Sequence, residues 1–255
     1  MILKTRGDLD IALGSMAHQE LSDLCRRAND EAAKLIKVEA PNRYGLLPFV
    51  EEGDTFRFNP NRLLRRFRHL IGDTPLKTAF DMPCGLGRDS FYLLSKGFDV
   101  TSVDVDQGVL DFIDRWAGVE RLKLGGHVET VKAGFGTFNF RKTYGLALSM
   151  NGLHFARTRE MGQQFIRKMQ EHTVVGGLHL LQAMNIHDPT PGRSKREARG
   201  IKDYLVEPEE LRGLYDSPSA GQWGILDYCG DEVHESKIER SLFRHQSTII
   251  ARRVA

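Results

Sequence analysis

Between residues 77 and 184 the hydrophobic positions change rhythm repeatedly. Short runs with strand spacing cover 78–82, 98–105, 127–133, 144–150 and 177–184. Segments at helical spacing, 87–97, 107–117 and 158–172, fall between them. Alternation of the two periods predicts βαβα order, and hence a parallel sheet with helices on both faces. Two further strand-like stretches, 223–229 and 242–253, close the series, with a charged loop expected over 230–241. With only a loop between them they predict an antiparallel pair at one sheet edge. The expected architecture is α/β: a Rossmann-like, doubly wound, mostly parallel seven-stranded sheet, an antiparallel edge pair and an N-terminal helical lid.

The lid is read from residues 1–72. Met16, Leu21, Leu24, Cys25, Ala28 and Ala32 recur near helical spacing and predict a helix over 16–37. A loop with prolines, glycines and aromatics follows over 39–60. A second short helix is expected over 60–71, capped by Asn59 or Asn61 and stopped by Gly72. The segment is too short to bury much by itself, so it reads as a flank on a domain spanning 73–255. Tyr44, Phe49, Phe56 and Phe58 could wall a pocket under it, or simply pack.

Composition narrows the class. Hydrophobic residues make up 40% of the 255 and charged residues 27%, enough apolar material for a core. No apolar run approaches the roughly 18–20 residues of a membrane helix. The first ten residues carry four charges and no apolar stretch, so no signal peptide is expected. Three cysteines, Cys25, Cys84 and Cys229, match no metal or redox spacing and suit a reducing cytoplasm; no metal is expected. A net charge of +2 predicts no bulk affinity for nucleic acid. Two basic stretches are local. Arg62, Arg65, Arg66, Arg68 and His69 read as the solvated face of a packed helix. Arg193, Lys195, Arg196, Arg199 and Lys202 read either as a lid for an anion or as a soluble loop.

The sharpest chemical signal is Asp81-Met82-Pro83-Cys84-Gly85-Leu86-Gly87-Arg88-Asp89-Ser90, between the first strand and the first helix of the domain. Open α/β sheets bind ligands at the carboxyl ends of their strands, and glycines there let backbone approach a ligand. Asp104 ends the next strand, 17 residues after Gly87, a spacing suited to a carboxylate that meets ribose hydroxyls. Ser90 stands where a dinucleotide fingerprint wants glycine or alanine, and Asp89 puts an acid where a pyrophosphate would sit. With Asp81, Asp104 and Asp106 the pocket is acidic. That suits a cationic centre on a nucleoside, as in S-adenosylmethionine, and not a pyrophosphate.

Residues 77–255 resemble the class I S-adenosylmethionine-dependent methyltransferases. Their pattern is an acid, a three-glycine turn after strand one and an acid ending strand two. Pro83 replaces the first glycine, which removes one backbone donor and keeps a tight turn. Ala133-Gly134-Phe135 stands where that family often has an acid near the adenine, so Phe135 would cover the ring. The cofactor-lining set is expected to be Asp81, Pro83, Cys84, Gly85, Gly87, Asp104, Val105, Asp106, Phe135 and Ser149.

Within that class the chain is most similar to the tellurite-resistance (TehB-like) methyltransferases. The likeness rests on GRDSFYLLSKGFDVTSVDVD, YGLALSMNGLHF and VEPEELRGLYD, with WGILDYCGDEVHE and STIIARR after them. It implies that His234, in Glu232-Val233-His234, faces the acceptor; otherwise His234 is an exposed loop residue. It also implies a basic acceptor-side residue on the last strand, matched by His245 beside Arg244. Glu235 reverses the charge of that family's residue after the histidine. His154, after strand four, is the third acceptor-side candidate, as a general base or a loop-ordering side chain. The expected function is cytoplasmic methyl transfer to a small-molecule acceptor, with an anionic acceptor left open and S-adenosylhomocysteine as product. The alternatives are a methyltransferase acting on RNA or protein, and a non-catalytic S-adenosylmethionine-binding partner protein.

Overall fold

The computed structural model describes residues 49–52, 55–119, 122–188, 204–217, 221–235 and 243–255. The helix expected over 16–37, Tyr44 and the basic stretch 193–202 lie outside the described residues.

The chain enters as a hairpin, β1 (Phe49–Glu52) and β2 (Thr55–Phe58), where a loop was expected. Two four-residue runs flanking Gly53-Asp54 are the hairpin signal in the sequence. The helix expected over 60–71 is two, α1 (Arg62–Arg66) and α2 (Arg68–Ile71), broken at Phe67. Asn61 caps α1 by accepting from the Leu63 N–H at 2.8 Å.

Beyond this point the regular structure follows the rhythm of the sequence in outline: β3 (Thr78–Asp81), α3 (Arg88–Ser95), β4 (Asp99–Asp104), α4 (Gln107–Ala117), β5 (Val128–Lys132), β6 (Tyr144–Met150), α5 (Arg159–Glu171), β7 (Thr173–Met184), α6 (Glu210–Asp216), β8 (Trp223–Glu235) and β9 (Phe243–Arg253).

 Leu153–Phe155 forms a single 3-10 turn after β6. Asp106 starts α4 by accepting from the Gly108 N–H at 2.8 Å, and Thr158 starts α5 by accepting from Met161 N–H at 3.1 Å.

The sheet order is β5-β4-β3-β6-β7-β9-β8. The first five strands in that order run parallel, and β9 is antiparallel to both β7 and β8. The expected edge pair is present, with β9 inserted inside β8. The loop expected over 230–241 is shorter than that, because β8 continues to Glu235 through a register shift between Cys229 and Glu232. Chain direction along the sheet reverses between β3 and β6, which opens a crevice at their carboxyl ends.

Pleating sends alternate side chains to opposite faces. Ala79, Leu146, Leu148 and Ile250 face one core with α1 to α4, including Leu64, Phe91, Leu94 and Ile113. Phe80, Ala147, Ile249 and Ala251 face the other core with α5 and α6. There Phe80 lies 4.9–6.0 Å, ring centre to ring centre, from Phe138, Phe140, Tyr144 and Phe165. Leu63, Leu64, Phe67 and Ile71 belong to the first core, so α1 and α2 are built into the domain they flank. Arg62, Arg65, Arg66, Arg68 and His69 form the exposed face of these helices, as expected. Among the described residues no helix is long and apolar enough to cross a membrane.

His179 is buried on β7 between Thr173 Oγ1 and Tyr215 Oη, each 2.6 Å from a ring nitrogen. Burial holds its imidazole neutral and pushes its pKa down to about 3. The unfolded chain takes up that proton near 6.5, so stability is kept above that value and lost as pH falls toward 3. Urea midpoints should therefore fall more steeply with acid in the unsubstituted chain than in His179→Gln. Equal slopes would contradict a neutral buried imidazole.

Candidate active site

Asp81 ends β3 and Asp104 ends β4, so both carboxylates stand at the crevice where the sheet reverses direction. The chain between them turns tightly. Cys84 N–H donates to Val103 O at 2.9 Å, and Gly87 N–H donates to Cys84 O at 3.0 Å. Gly85 and Gly87 have φ of 51° and 75°, the left-handed region that glycine enters without strain. At Gly87 a Cβ would also come within 2.8 Å of Ile113. The Met82–Pro83 peptide is cis, and the Pro83 ring lies against Gly152 in the loop after β6. A Cβ on Gly152 would meet Pro83 Cδ at 1.9 Å. The proline that replaces a glycine of the turn therefore has a glycine opposite it.

Asp104 holds the turn to the next loop. Its Oδ2 accepts from the Gly85 N–H and its Oδ1 from the Asp106 N–H, both at 3.0 Å. Each carboxylate oxygen keeps a second lone-pair site for a ligand hydroxyl. Val105 beside it is 62% exposed, so the outer rim of this loop is open to solvent. Asp106 is partly buried and its Oδ1 is engaged as the α4 cap. Phe135 is partly buried and packs edge-on against Phe165, ring centres 4.7 Å apart.

Asp81 is buried. Ser90 Oγ donates to its Oδ2 at 2.6 Å, and Ser102 Oγ donates to Ser90 Oγ at 2.8 Å. Burial first, then the neighbouring Asp89 and Asp104, push the Asp81 pKa up to about 8, against the Ser90 hydrogen bond and Arg88. Burial raises Asp89 too, against Arg88 and the Asn61 N–H. Cys84 is held as a neutral thiol by burial and by Asp81. Three acids thus crowd a turn in which Arg88 is the cation acting on Asp81 and Asp89. Such a donor set fits a ligand that brings its own positive charge and offers hydroxyls to Asp104. Ser149, near the end of β6, is buried and its Oγ has no hydrogen-bond partner among the described residues.

Asp89 has a second duty that the sequence did not reveal. Its Oδ1 accepts from the Asn61 backbone N–H at 2.5 Å, which ties the start of α1 to the turn. Asn61 Nδ2 and Asn151 Nδ2 both donate to Gln182 Oε1, at 3.2 and 2.9 Å. Gln246 Nε2 donates to Asn151 Oδ1 at 2.6 Å. The polar chain Asp89–Asn61–Gln182–Asn151–Gln246 crosses the carboxyl edge of the sheet from α3 to β9. Arg62 pairs with Glu232, and Arg66 Nη2 lies 3.5 Å from Asp227 Oδ2, so α1 also reaches β8. A small pocket between α1 and these strands is lined by Arg62, Leu63, Arg66, Gln182 and Glu232. Gln182 is visible in the sequence as a lone amide in a largely apolar strand, and that was the signal available for it; Gln246 lies in a polar stretch of β9 that gives none.

The three candidate histidines stand on three different elements. His154 is buried on the 3-10 turn, its ring centre 3.9 Å from that of Phe155. His234 lies on β8, paired in register with Arg244, and not in a loop; its side chain lies outside the described residues. His245 is partly exposed on β9, with Nδ1–H donating to Asp231 Oδ1 at 2.9 Å. Asp231 also takes hydrogen bonds from Asn185 and His187, and these three bonds outweigh its desolvation and hold its carboxyl down at about 2.

Comparison with known proteins places this geometry in a family. The family model described as "Tellurite resistance protein TehB" matches residues 73–228, more than half of the chain. Two curated relatives from Haemophilus influenzae, strains 10810 and KW20 / Rd, each carry the name "Probable S-adenosyl-L-methionine-dependent methyltransferase TehB". They are 33% and 32% identical over 113 residues, 44% of this chain and 38% of theirs. The match therefore spans well under half the length of these relatives. The crystal structure of TehB from Haemophilus influenzae superposes with a TM-score of 0.59 at 21% identity, over 87% of this chain and 67% of that one. Magnesium protoporphyrin IX methyltransferase from Synechocystis PCC 6803, solved with bound SAH, has a TM-score of 0.54 at 16% identity, over 74% and 78% of the two chains. These two likenesses show a common fold. The family match runs from just before β3 into β8, takes in the acidic turn, Asp104 and the loop after β6, and stops short of Asp231 and His245. The chain belongs to the TehB tellurite-resistance protein family.

Proposed function

We propose that the chain is an S-adenosylmethionine-dependent methyltransferase acting on a small-molecule acceptor in the cytoplasm. The observation that carries this reading is the acidic turn itself: buried Asp81 and Asp89 with Asp104 at the point where the sheet reverses direction. When bound, S-adenosylmethionine supplies a methyl group on a sulfonium, and its amino group adds a second positive charge. Asp81 and the backbone of 83–87 would hold the methionine end, where the uncompensated acid lies. Asp104 would accept from ribose hydroxyls through its free lone pairs. Val105, Asp106 and Phe135 would border the adenine, and Ser149 would line the floor.

Residues 1–72 would cover the site. Support comes from α1, which is bonded to the turn through Asn61 and to β8 through Arg62. An acceptor would then enter between α1 and the carboxyl ends of β7 and β8, beside Arg62, Arg66 and Gln182. Displacement at a sulfonium depends mainly on alignment and on excluding water, which a cover tied to the turn serves. His154, buried against Phe155, would shape this floor, while His234 and His245 would flank the acceptor. A soft anionic nucleophile needs no base here, and two basic side chains on α1 would help to orient it.

Calorimetric titration with S-adenosylmethionine, with NAD as the control, tests the reading. One-to-one binding of the former alone is expected; binding of NAD alone would overturn it. Asp104→Ala should weaken S-adenosylmethionine binding roughly tenfold to a hundredfold, the value of hydrogen bonds to a charged acceptor. Unchanged affinity in a folded variant would remove Asp104 from the ribose site. Gly152→Ala drives a methyl group into the Pro83 ring, and relief requires the turn to shift. It should cost about 1–3 kcal/mol of stability, read from urea midpoints, and weaken the same titration. Wild-type stability and affinity together would contradict the close contact.

A further inference from the structure

Outside the acidic turn, His187, Asp231 and His245 converge from three elements. His187 follows the end of β7, Asp231 sits where the β8 register shifts, and His245 lies near the start of β9. These residues are 14 to 58 positions apart in the chain, so no spacing motif announces them. His187 Nδ1 lies 3.0 Å from Asp231 Oδ2, and His245 Nδ1 lies 2.9 Å from Asp231 Oδ1. One ligating atom from each of the three lies within 4.8 Å of the others. We propose that these three side chains form a binding site for a first-row divalent cation such as zinc.

The distances suit such an ion. Ligand atoms about 2.0–2.1 Å from zinc in tetrahedral array stand roughly 3.3 Å from one another. The two nitrogen–oxygen separations run to different oxygens of Asp231, and with one ligand atom per residue the set lies within 4.8 Å, so a small turn of the side chains brings all three onto one ion. The donor set is also selective. Two imidazoles and one carboxylate suit zinc, iron, cobalt or nickel; magnesium and calcium prefer an all-oxygen shell.

The support behind the ligands is built. Asn185 is fully buried, its Nδ2 donates to Asp231 Oδ1 at 2.7 Å, and its Oδ1 accepts from the His187 N–H at 3.0 Å. One amide thereby fixes the carboxylate and one histidine relative to each other. Asn185 Nδ2 and Ser247 Oγ both donate to Gly230 O, which anchors the chain just before Asp231. On the other side, Asp188 is buried; its Oδ2 accepts from the His245 N–H at 3.0 Å and from Arg244 Nε at 2.9 Å. Partners of this kind orient metal ligands and set affinity. An ion replaces the two Nδ1–H bonds, each imidazole then carrying its proton on Nε2.

The ligand side chains are 50%, 32% and 25% exposed for His187, Asp231 and His245. Three protein ligands in an accessible position leave at least one coordination place for water or an exogenous anion. One carboxylate and two neutral imidazoles leave a net positive charge on a bound divalent ion. The site lies at the carboxyl edge of the sheet, one residue along β9 from Gln246 of the polar chain. It is independent of Asp81 and Asp104, so cation binding stands or falls apart from the methyltransferase reading.

The test uses the full chain stripped with a chelator and titrated with zinc chloride by calorimetry and with cobalt chloride by visible absorption. One saturable equivalent is expected, with a cobalt spectrum of low coordination number. His187→Ala and His245→Ala should each weaken it at least tenfold, and Asn185→Ala by about tenfold to a hundredfold. Asp231→Asn keeps a hydrogen-bonding group of the same shape and should still weaken binding. Near-ultraviolet circular dichroism checks that each variant is folded. No saturable zinc or cobalt binding, or undiminished binding in the folded His187→Ala/His245→Ala double variant, would overturn the site.

Discussion

The structure turns on a buried carboxyl group that lacks a full counter-charge. Asp81 sits at the end of β3, where the sheet reverses direction, flanked by β4 and β6. Burial costs the ionised form heavily unless a partner compensates. Ser90 and the more distant Arg88 compensate in part, while Asp89 and Asp104 add negative charge. A cation-deficient site at a strand end is an unfavourable arrangement for folding alone. In the proposed function a cationic ligand would relieve it, and the remainder of the turn suits that ligand. Gly85 and Gly87 bring backbone close, Asp104 fixes the outer wall, and Gly152 makes room for Pro83.

The N-terminal helices extend this constraint across the molecule. Leu63, Leu64, Phe67 and Ile71 are core residues, so α1 and α2 are packed into the domain. Asn61 reports to the turn through Asp89 and to the strands through Gln182. The amides of Gln182, Asn151 and Gln246 continue the same path to β9. Buried amides of this kind specify one arrangement because each lost bond leaves a desolvated group unpaired. The carboxyl edge of the sheet and the acidic turn are therefore positioned by one connected set of bonds.

Much of this was legible in the sequence, for identifiable reasons. Strands such as 144–150 are apolar on both faces, and helices such as 107–117 keep one apolar stripe, so period and length fix their type. The turn was legible because its chemistry is contiguous: acid, glycines and a second acid follow in order. The hairpin of β1 and β2 was missed because its residues lie in a stretch rich in proline and glycine. The extension of β8 to Glu235 was missed because Gly230, Asp231 and Glu232 read as a turn, whereas they form an irregular strand paired with β9. That error hid the cluster of His187, Asp231 and His245, which exists only because β8 carries Asp231 up to the edge. Asn61 was visible as a helix cap, but its contact with Asp89 depends on where α1 packs.

The central claim is that Asp81 waits for a cation, and proton release tests it most directly. In the free protein burial, with Asp89 and Asp104 beside it, pushes the Asp81 carboxyl well above the usual carboxylate range. A bound cation favours the ionised form, so the proton must leave. Calorimetry of S-adenosylmethionine binding at pH 7, in two buffers of different ionisation enthalpy, counts that proton. Net proton release is expected, with clearly less of it in Asp81→Asn. Binding with no proton released, or with the same release in Asp81→Asn, would contradict the account.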